Sequence, residues 1–388
     1  MKQQTQGERD LLLEVNNVSV DYLAGSGTVH AVRDVSFTLR RGAILGLAGE
    51  SGSGKSTIAY AIARLLRPPA LITGGRAFYY PRALDDPAAR TQTKHAQQWV
   101  DLAGQDAPGR IDILQLSPAQ LRAFRWNELS IVFQSAMNAL NPVMDIGTQI
   151  TDVLQYHQPG RGQETRRQRA RELLEIVGIA PDRMRSYPHE LSGGMRQRAV
   201  IAIAMALQPE LIIMDEPTTA LDVVVQREIL ELISALCKES GTSLIFITHD
   251  LSLLLELADE VAIMYAGKIV ERAQRDELDQ HPRHPYTFGL MNSFPTLYGP
   301  RRWMTGIPGS PPDLRAVPTG CSFHPRCPFA FTPCQSVVPA LQPARTETPR
   351  QLVACHLYNP GFTATDVIPD ASLLAQGYQI QGEKSRTR

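Results

Sequence analysis

Residues Gly49 to Thr57 read Gly-Glu-Ser-Gly-Ser-Gly-Lys-Ser-Thr, a run that places a lysine and a hydroxyl behind a loop of glycine and serine. Glycine at Gly49, Gly52 and Gly54 lets consecutive backbone N–H groups turn toward one anion, with Glu50, Ser51 and Ser53 completing the loop. A helix-compatible stretch beginning at Ile58 adds the positive end of its dipole to the same place. Lys55 has the reach for terminal phosphates, Ser56 offers its hydroxyl to Mg²⁺, and Thr57 closes the cradle. This G-x-x-x-x-G-K-S spacing on a strand-to-helix junction predicts that the chain binds a nucleoside triphosphate.

Two further stretches supply complementary chemistry. Leu191-Ser192-Gly193-Gly194-Met195 precedes the helical run Arg196 to Leu207, which Pro209 stops, so Ser192 and its glycines sit at a helix N-terminus suited to phosphate oxygens. Sixteen residues after Met195 comes Leu211-Ile-Ile-Met-Asp-Glu216, an apolar strand ending in two carboxylates. Asp215 can hold Mg²⁺ through water, while Glu216 can orient and deprotonate an attacking water. His249 follows the strand-like run Ser243 to Thr248 and can reach a γ-phosphate.

Elements that would position these groups are legible around them. Leu11 to Asp21 and Ala31 to Leu39 alternate apolar and polar residues about the turn-rich Ala24-Gly-Ser-Gly27, which predicts an antiparallel β-edge leading into the phosphate loop. Val143 to Tyr187 changes to helical periodicity, as in Ala170 to Val177, with Gly178 as its stop. Leu211 to Met214 and Ser243 to Thr248 read as central parallel strands joined by a crossover helix over Gln226 to Lys238. Cys237, on a face with Leu232, Ile233 and Leu236, reads as a buried core thiol. Tyr80 to Gly109 reads as a surface excursion with a short helix at Gln92 to Leu102.

Composition bounds the reading. The 388 residues are 43% hydrophobic and 20% charged, the profile of a packed globular chain with two domains or one domain and an appendage. Lys plus Arg equals Asp plus Glu at 39 each, so no overall positive field exists to hold DNA, and no nucleic-acid partner is expected. Met1 to Asp10 lacks the apolar core of a secretion signal, and the longest apolar run, Ala199 to Leu207, is far short of the roughly 20 residues that span a bilayer. A cytoplasmic chain is expected, with any membrane role supplied by a partner. Five cysteines then argue for metal chemistry or buried thiols over disulfides.

The phosphate loop, the LSGG-type signature at Leu191 to Met195, the Asp215-Glu216 strand end, Ala220-Leu-Asp222 and His249, in this order, resemble an ATP-binding cassette transporter ATPase over Leu11 to Arg272. The resemblance implies an α/β fold: a P-loop RecA-like core, an antiparallel β subdomain and a helical subdomain at about 137–192; the inserted excursion at about 80–109 departs from the family, whose members usually cross this region with far fewer residues. It implies that Gln134, in Val132-Phe-Gln-Ser, senses Mg²⁺ and meets the permease, that Asp222 belongs to the loop between facing cassettes, and that Tyr22 stacks on adenine. The blander readings are a polar residue after a strand for Gln134, a sheet-edge cover for Tyr22 and a satisfied strand-end histidine for His249. In this family the signature of one chain completes the ATP site of a second ATPase subunit. The peptide-importer branch generally pairs two different ATPases, with a homodimer as the alternative.

After Arg272 the chain is dense in proline and little periodic, which sets a boundary near Ala273 and a C-terminal extension over 273–388. His284-Pro-Tyr-Thr287, Ile307-Pro-Gly-Ser-Pro-Pro312 and Gly320 to Cys327 resemble the extension of oligopeptide and dipeptide importer ATPases. That resemblance implies a peripheral subunit on the cytoplasmic face, two integral permease subunits, an extracytoplasmic binding protein, and peptides as cargo ahead of sugars, opines or nickel. Cys321, Cys327, Cys334 and Cys355 have five, six and twenty residues between them, wider than zinc knuckles. The spacing favours a [4Fe-4S] cluster over Zn²⁺ or unligated thiols, a preference the resemblance strengthens, with His324 and His356 as substitute ligands or plain surface residues and the proline-rich segment as the part stapled. The last stretch, Gln376 to Arg388, is polar and expected to fray. A soluble cassette protein acting on ribosomes or DNA is the rival class, but neither a tandem cassette nor a long coiled coil appears in the sequence.

Overall fold

A computed structural model describes residues 10–25, 27–82, 109–219, 221–293, 306–344, 350–359, 361–362 and 372–378. The helix expected at Gln92 to Leu102 and nearly all of the excursion around it lie outside the described residues, as does Ala220.

Two sheets organise the chain. The first is antiparallel in the order β2-β1-β4-β5, from β1 (Leu11–Ala24), β2 (Gly27–Arg40), β4 (Ala70–Tyr79) and β5 (Ile111–Asp112). The hairpin read from the alternation of β1 and β2 pairs Ala24 with Gly27 and Leu13 with Leu39. The second sheet takes the order β11-β12-β10-β9-β3-β8-β7-β6, with β3 (Ile44–Ala48), β6 (Leu129–Val132), β7 (Leu211–Asp215), β8 (Ser243–Ile247), β9 (Glu260–Tyr265) and β10 (Lys268–Gln274). Its last two strands, β11 (Gln342–Pro343) and β12 (Leu352–Val353), come from the tail.

From β9 through β3, β8 and β7 to β6 the pairing is parallel, and β3, β7 and β8 are buried at every position because both faces are covered. Successive residues divide between two cores as the pleat requires. Ile212, Met214, Leu244 and Phe246 face one core with the helices Ile146–His157, Gln163–Ile176 and Gly193–Ala204, while Leu211, Ile213, Ile245 and Ile247 face the other, beneath the antiparallel sheet. The crossover helix runs Val223–Ser240, longer than read, and Cys237 on it is buried with its thiol pushed up to about 12 by desolvation.

Some elements differ from the sequence reading. The helix after the phosphate loop is Lys55–Ile62, three residues earlier than Ile58, because Gly54 in a left-handed conformation serves as its N-cap. Likewise the helix behind the signature is Gly193–Ala204 and includes both glycines. The long helical stretch is two helices, and Gly178 closes the second with φ +72° as expected. The tail is less separate than its composition suggests: β12 pairs antiparallel with β10, and Tyr286, Leu290 and Phe323 are buried in the main core. Of the stretch expected to fray, Gln376 to Tyr378 end a helical segment over 372–378, where Tyr378 stacks on Phe288 at 5.9 Å and donates to Pro285 O at 2.8 Å, and 379–388 lie outside the described residues.

Candidate active site

Four neighbouring parallel strands deliver the candidate residues to one edge. In the order β3, β8, β7, β6 their C-terminal ends lead into Gly49, His249, Glu216 and Gln134. The carboxyl ends of parallel strands are where α/β sheets open a ligand crevice.

The loop after β3 bends where only glycine fits. Gly49 has φ +145°, and a Cβ there would lie 2.2 Å from Met264 O; at Gly54, φ +102°, it would lie 2.4 Å from Ala31 O. Lys55 is 6% exposed and spans the loop, its Nζ donating to Gly49 O at 2.8 Å and Glu50 O at 2.9 Å. Burial lowers its pKa, opposed by Glu216, Asp215 and Glu50. An ammonium that can exchange backbone carbonyls for phosphate oxygens suits a triphosphate. Glu50 departs from the expected cradle role: its amide donates to Tyr286 Oη at 2.8 Å and its carboxylate pairs with Arg326, so both groups face the tail.

Asp215, at the end of β7, is fully buried; it accepts from Ser56 Oγ at 2.9 Å and Tyr60 Oη at 2.8 Å. Burial raises its pKa, and these two hydrogen bonds pull it back. The adjoining hydroxyl and carboxylate are hard oxygen donors, the type that Mg²⁺ takes directly or through water. Glu216 follows with φ +48°, a sparsely populated conformation held by its N–H donating to Ile247 O at 2.8 Å. Its carboxylate is the meeting point of the site, 3.2 Å from Gln134 Nε2, 3.1 Å from Thr219 Oγ1 and 3.2 Å from His249 Nδ1. Gln134 and Thr219 hold Oε2 and His249 holds Oε1, which fixes the plane of the carboxylate and leaves lone pairs that can accept from a water.

Tyr60 and Thr219 were not singled out by the sequence reading. Tyr60 stands four residues after Ser56 on the same helix face, so the i, i+4 rule would have found it. Thr219, three residues past Glu216, carries no comparable periodic signal.

Other predicted residues stand apart. Ser192 caps its helix by accepting from Met195 N at 3.2 Å, and Asp222 caps the next by accepting from Val225 N at 3.0 Å. Both are exposed, and each of these bonds stays within its own helix. Leu191 is buried beneath, and a Cβ on Gly194 would meet Val225 Cγ1 at 2.7 Å. Tyr22 lies on β1, partly buried against the core under the antiparallel sheet. A cavity of about 470 Å³ opens elsewhere, beside Asp34, Lys268, Arg272 and Cys321, and none of the nucleotide candidates lines it.

In the tail, Cys321, Cys327, Cys334 and Cys355 are free thiols, and Cys321 N donates to Cys334 O at 2.8 Å. Burial pushes Cys321 up to about 11 and Cys327 up to about 12, and it raises Cys355 well above the ordinary thiol value, with a smaller contribution from the other three cysteines. Among the described residues no group of three or more His, Cys, Asp or Glu side chains is placed to hold a metal ion. His324 Nδ1 and His356 Nε2 are taken by the carbonyls of Cys321 and Val337 at 2.9 and 2.8 Å, and the other ring nitrogen of His356, Nδ1, is buried without a hydrogen-bond partner.

A glycine cradle, an acidic strand end and a detached signature on this two-sheet fold define an ATPase of the ATP-binding cassette class. Residues 32–219 match the family model described as ABC transporter, and residues 270–334 the one described as Oligopeptide/dipeptide transporter, C-terminal region. The oligopeptide transport ATP-binding protein OppD of Bacillus subtilis is 43% identical over 82% of this chain and 82% of its own length. OppD of Salmonella typhimurium is 40% identical over 87% and 92%, and the probable D,D-dipeptide transport ATP-binding protein DdpD of Escherichia coli 41% over 85% and 92%. The dimeric post-hydrolysis structure of the ATP-binding cassette MJ0796, bound to ADP and Pi, superposes with a TM-score of 0.55 at 26% identity, covering 68% of this chain and 99% of the cassette. The chain belongs to the family of oligopeptide and dipeptide ABC transporter ATP-binding proteins.

Proposed function

We propose that the chain hydrolyses ATP to power import of peptides across the cytoplasmic membrane, as one ATPase subunit of a binding-protein-dependent importer. The observation that carries the chemistry is the Glu216 carboxylate, held by Gln134, Thr219 and His249 beside the Ser56–Asp215 pair and the glycine cradle. Loop amides from Gly54 to Thr57 and Lys55 Nζ bind the phosphates, and Tyr22 offers a face to the base. Ser56, Asp215 and Gln134 would hold Mg²⁺, which when bound neutralises charge developing on the phosphate oxygens. A water held at Glu216 attacks the γ-phosphorus, the bond to the β–γ bridging oxygen breaks, and Glu216 accepts the water's proton while His249 keeps its carboxylate oriented.

Leu191 to Met195 and Asp222 serve the ATP bound on a second subunit, since their polar groups are exposed and turned to their own helix ends. The branch favours a heterodimer, with two integral permease subunits, an extracytoplasmic binding protein and a peripheral place at the cytoplasmic face. No helix among the described residues is long and apolar enough to cross a membrane, which agrees with a separate permease. Peptide cargo is supported by the names of the relatives.

Replacing Glu216 with Gln in the assembled transporter should lower turnover by about 10²–10⁴-fold, the range of a lost general base, while ATP-driven dimerisation survives. Turnover at the parent rate would remove Glu216 from this role.

We further propose that the four tail cysteines hold a [4Fe-4S] cluster. Four free thiols with five, six and twenty residues between them, two of them joined through the Cys321 N to Cys334 O hydrogen bond, suit a wide polynuclear centre better than the tight knuckles of Zn²⁺. Protein purified without oxygen should be brown, with broad absorbance near roughly 400 nm and bound iron and sulfide. Colourless, zinc-containing protein would overturn the proposal.

A further inference from the structure

We infer that the tail positions the phosphate loop through Glu50, with Arg326 and Tyr286 as positioning residues that set affinity for ATP. This rests on the nucleotide reading of the loop and adds a determinant outside the residues matched to the ABC transporter model, 32–219.

Glu50 is fastened at two points. Its carboxylate accepts a two-pronged pair from Arg326, Nη1 to Oε2 at 2.6 Å and Nη2 to Oε1 at 2.9 Å, while its amide donates to Tyr286 Oη at 2.8 Å. Its carbonyl faces the other way, accepting from Lys55 Nζ at 2.9 Å and Ser53 N at 3.2 Å. One residue therefore joins the tail on one side to the phosphate-binding lysine on the other.

The anchor is rigid. Arg326 is 6% exposed, and its remaining donors reach Pro308 O at 2.8 Å, Gly309 O at 3.3 Å and Tyr265 Oη at 3.3 Å, which occupies the whole guanidinium fork. Tyr286 is fully buried in an aromatic group with Tyr265 at 4.6 Å and Phe323 at 5.4 Å. Glu50 itself lies between Gly49 and Gly52, both with positive φ, so the loop has free pivots around it. Fixing Glu50 removes conformations that binding would otherwise have to select against, which raises affinity without touching the nucleotide. A lysine could replace the charge of Arg326 but not its planar fork.

The test is made in the assembled transporter, with KM for ATP and kcat measured for Glu50→Gln, Arg326→Lys, Arg326→Met and the double variant Glu50→Gln/Arg326→Met. Glu50→Gln and Arg326→Met should each raise KM about tenfold, the scale of one lost charge-assisted contact, with kcat changed less than about twofold. Arg326→Lys should recover part of that loss. Because both act through one contact, the double variant should be no worse than the poorer single one. A parent-like KM for Glu50→Gln, or additive effects in the double variant, would overturn the inference. Should Arg326→Met fail to fold, the partly exposed Glu50→Gln alone decides. Lys55→Ala serves as control: if it leaves ATP affinity intact, the nucleotide reading falls and this inference with it, whereas its loss of affinity beside an unaffected Glu50→Gln overturns only the inference.

Discussion

His284 is a buried N-cap whose Nδ1 accepts from Tyr286 N at 3.0 Å, and desolvation holds its pKa down to about 3 from 6.5. Between those values the unfolded chain binds a proton that the folded one refuses, so stability present above pH 6.5 is lost as pH falls. By pH 5 this amounts to about 2 kcal/mol. His284→Asn keeps a capping oxygen and removes the titration, so its thermal stability should fall less than the parent's between pH 7 and pH 5. Buried Glu271, which accepts from His284 N at 2.8 Å, shifts upward and gains stability on acidification, but it is common to both proteins. Equal slopes would refute the assignment. Single residues were legible in sequence where chemistry demands a fixed local spacing, as at Gly49 to Thr57 and Asp215-Glu216. Arg326 was not, because its partner Glu50 lies 276 positions away and no local pattern encodes a contact that the fold creates.

At the scale of elements, β1 and β4 pair across an irregularity: their register shifts between Asn16 and Ser19, and Asn17 takes φ +48°. Gly75 sits opposite with φ +89°, and a Cβ there would stand 2.5 Å from the backbone of Asn17 and Val18. Gly75→Ala should cost about 1–3 kcal/mol, read as a lower melting temperature, with ATP affinity of the folded protein retained. An unchanged melting temperature would mean that the bulge relaxes freely. Strands and crossovers such as β7, β8 and the helix Val223–Ser240 were readable because apolar runs and period declare them. β11 and β12 were not, since a two-residue strand has no periodicity and exists only through its pairing, β12 on β10 and β11 on β12.

At the scale of the molecule, the proline-rich composition after Arg272 suggested a loosely attached appendage, and packing overrides that suggestion. Tyr286 and Phe323 join the core that also holds Phe246, and Arg272, with Glu260 as its partner at 2.7 and 2.9 Å, reaches Thr38 on the antiparallel sheet. The pairing of β12 on β10 has a practical consequence for anyone shortening this polypeptide. A fragment ending at Gln274 keeps every nucleotide residue, yet leaves the hydrogen-bonding rim of β10 bare and Tyr265 without its aromatic neighbours. Such a rim recruits other copies of itself, so the fragment should accumulate as insoluble deposits rather than as a working minimal enzyme.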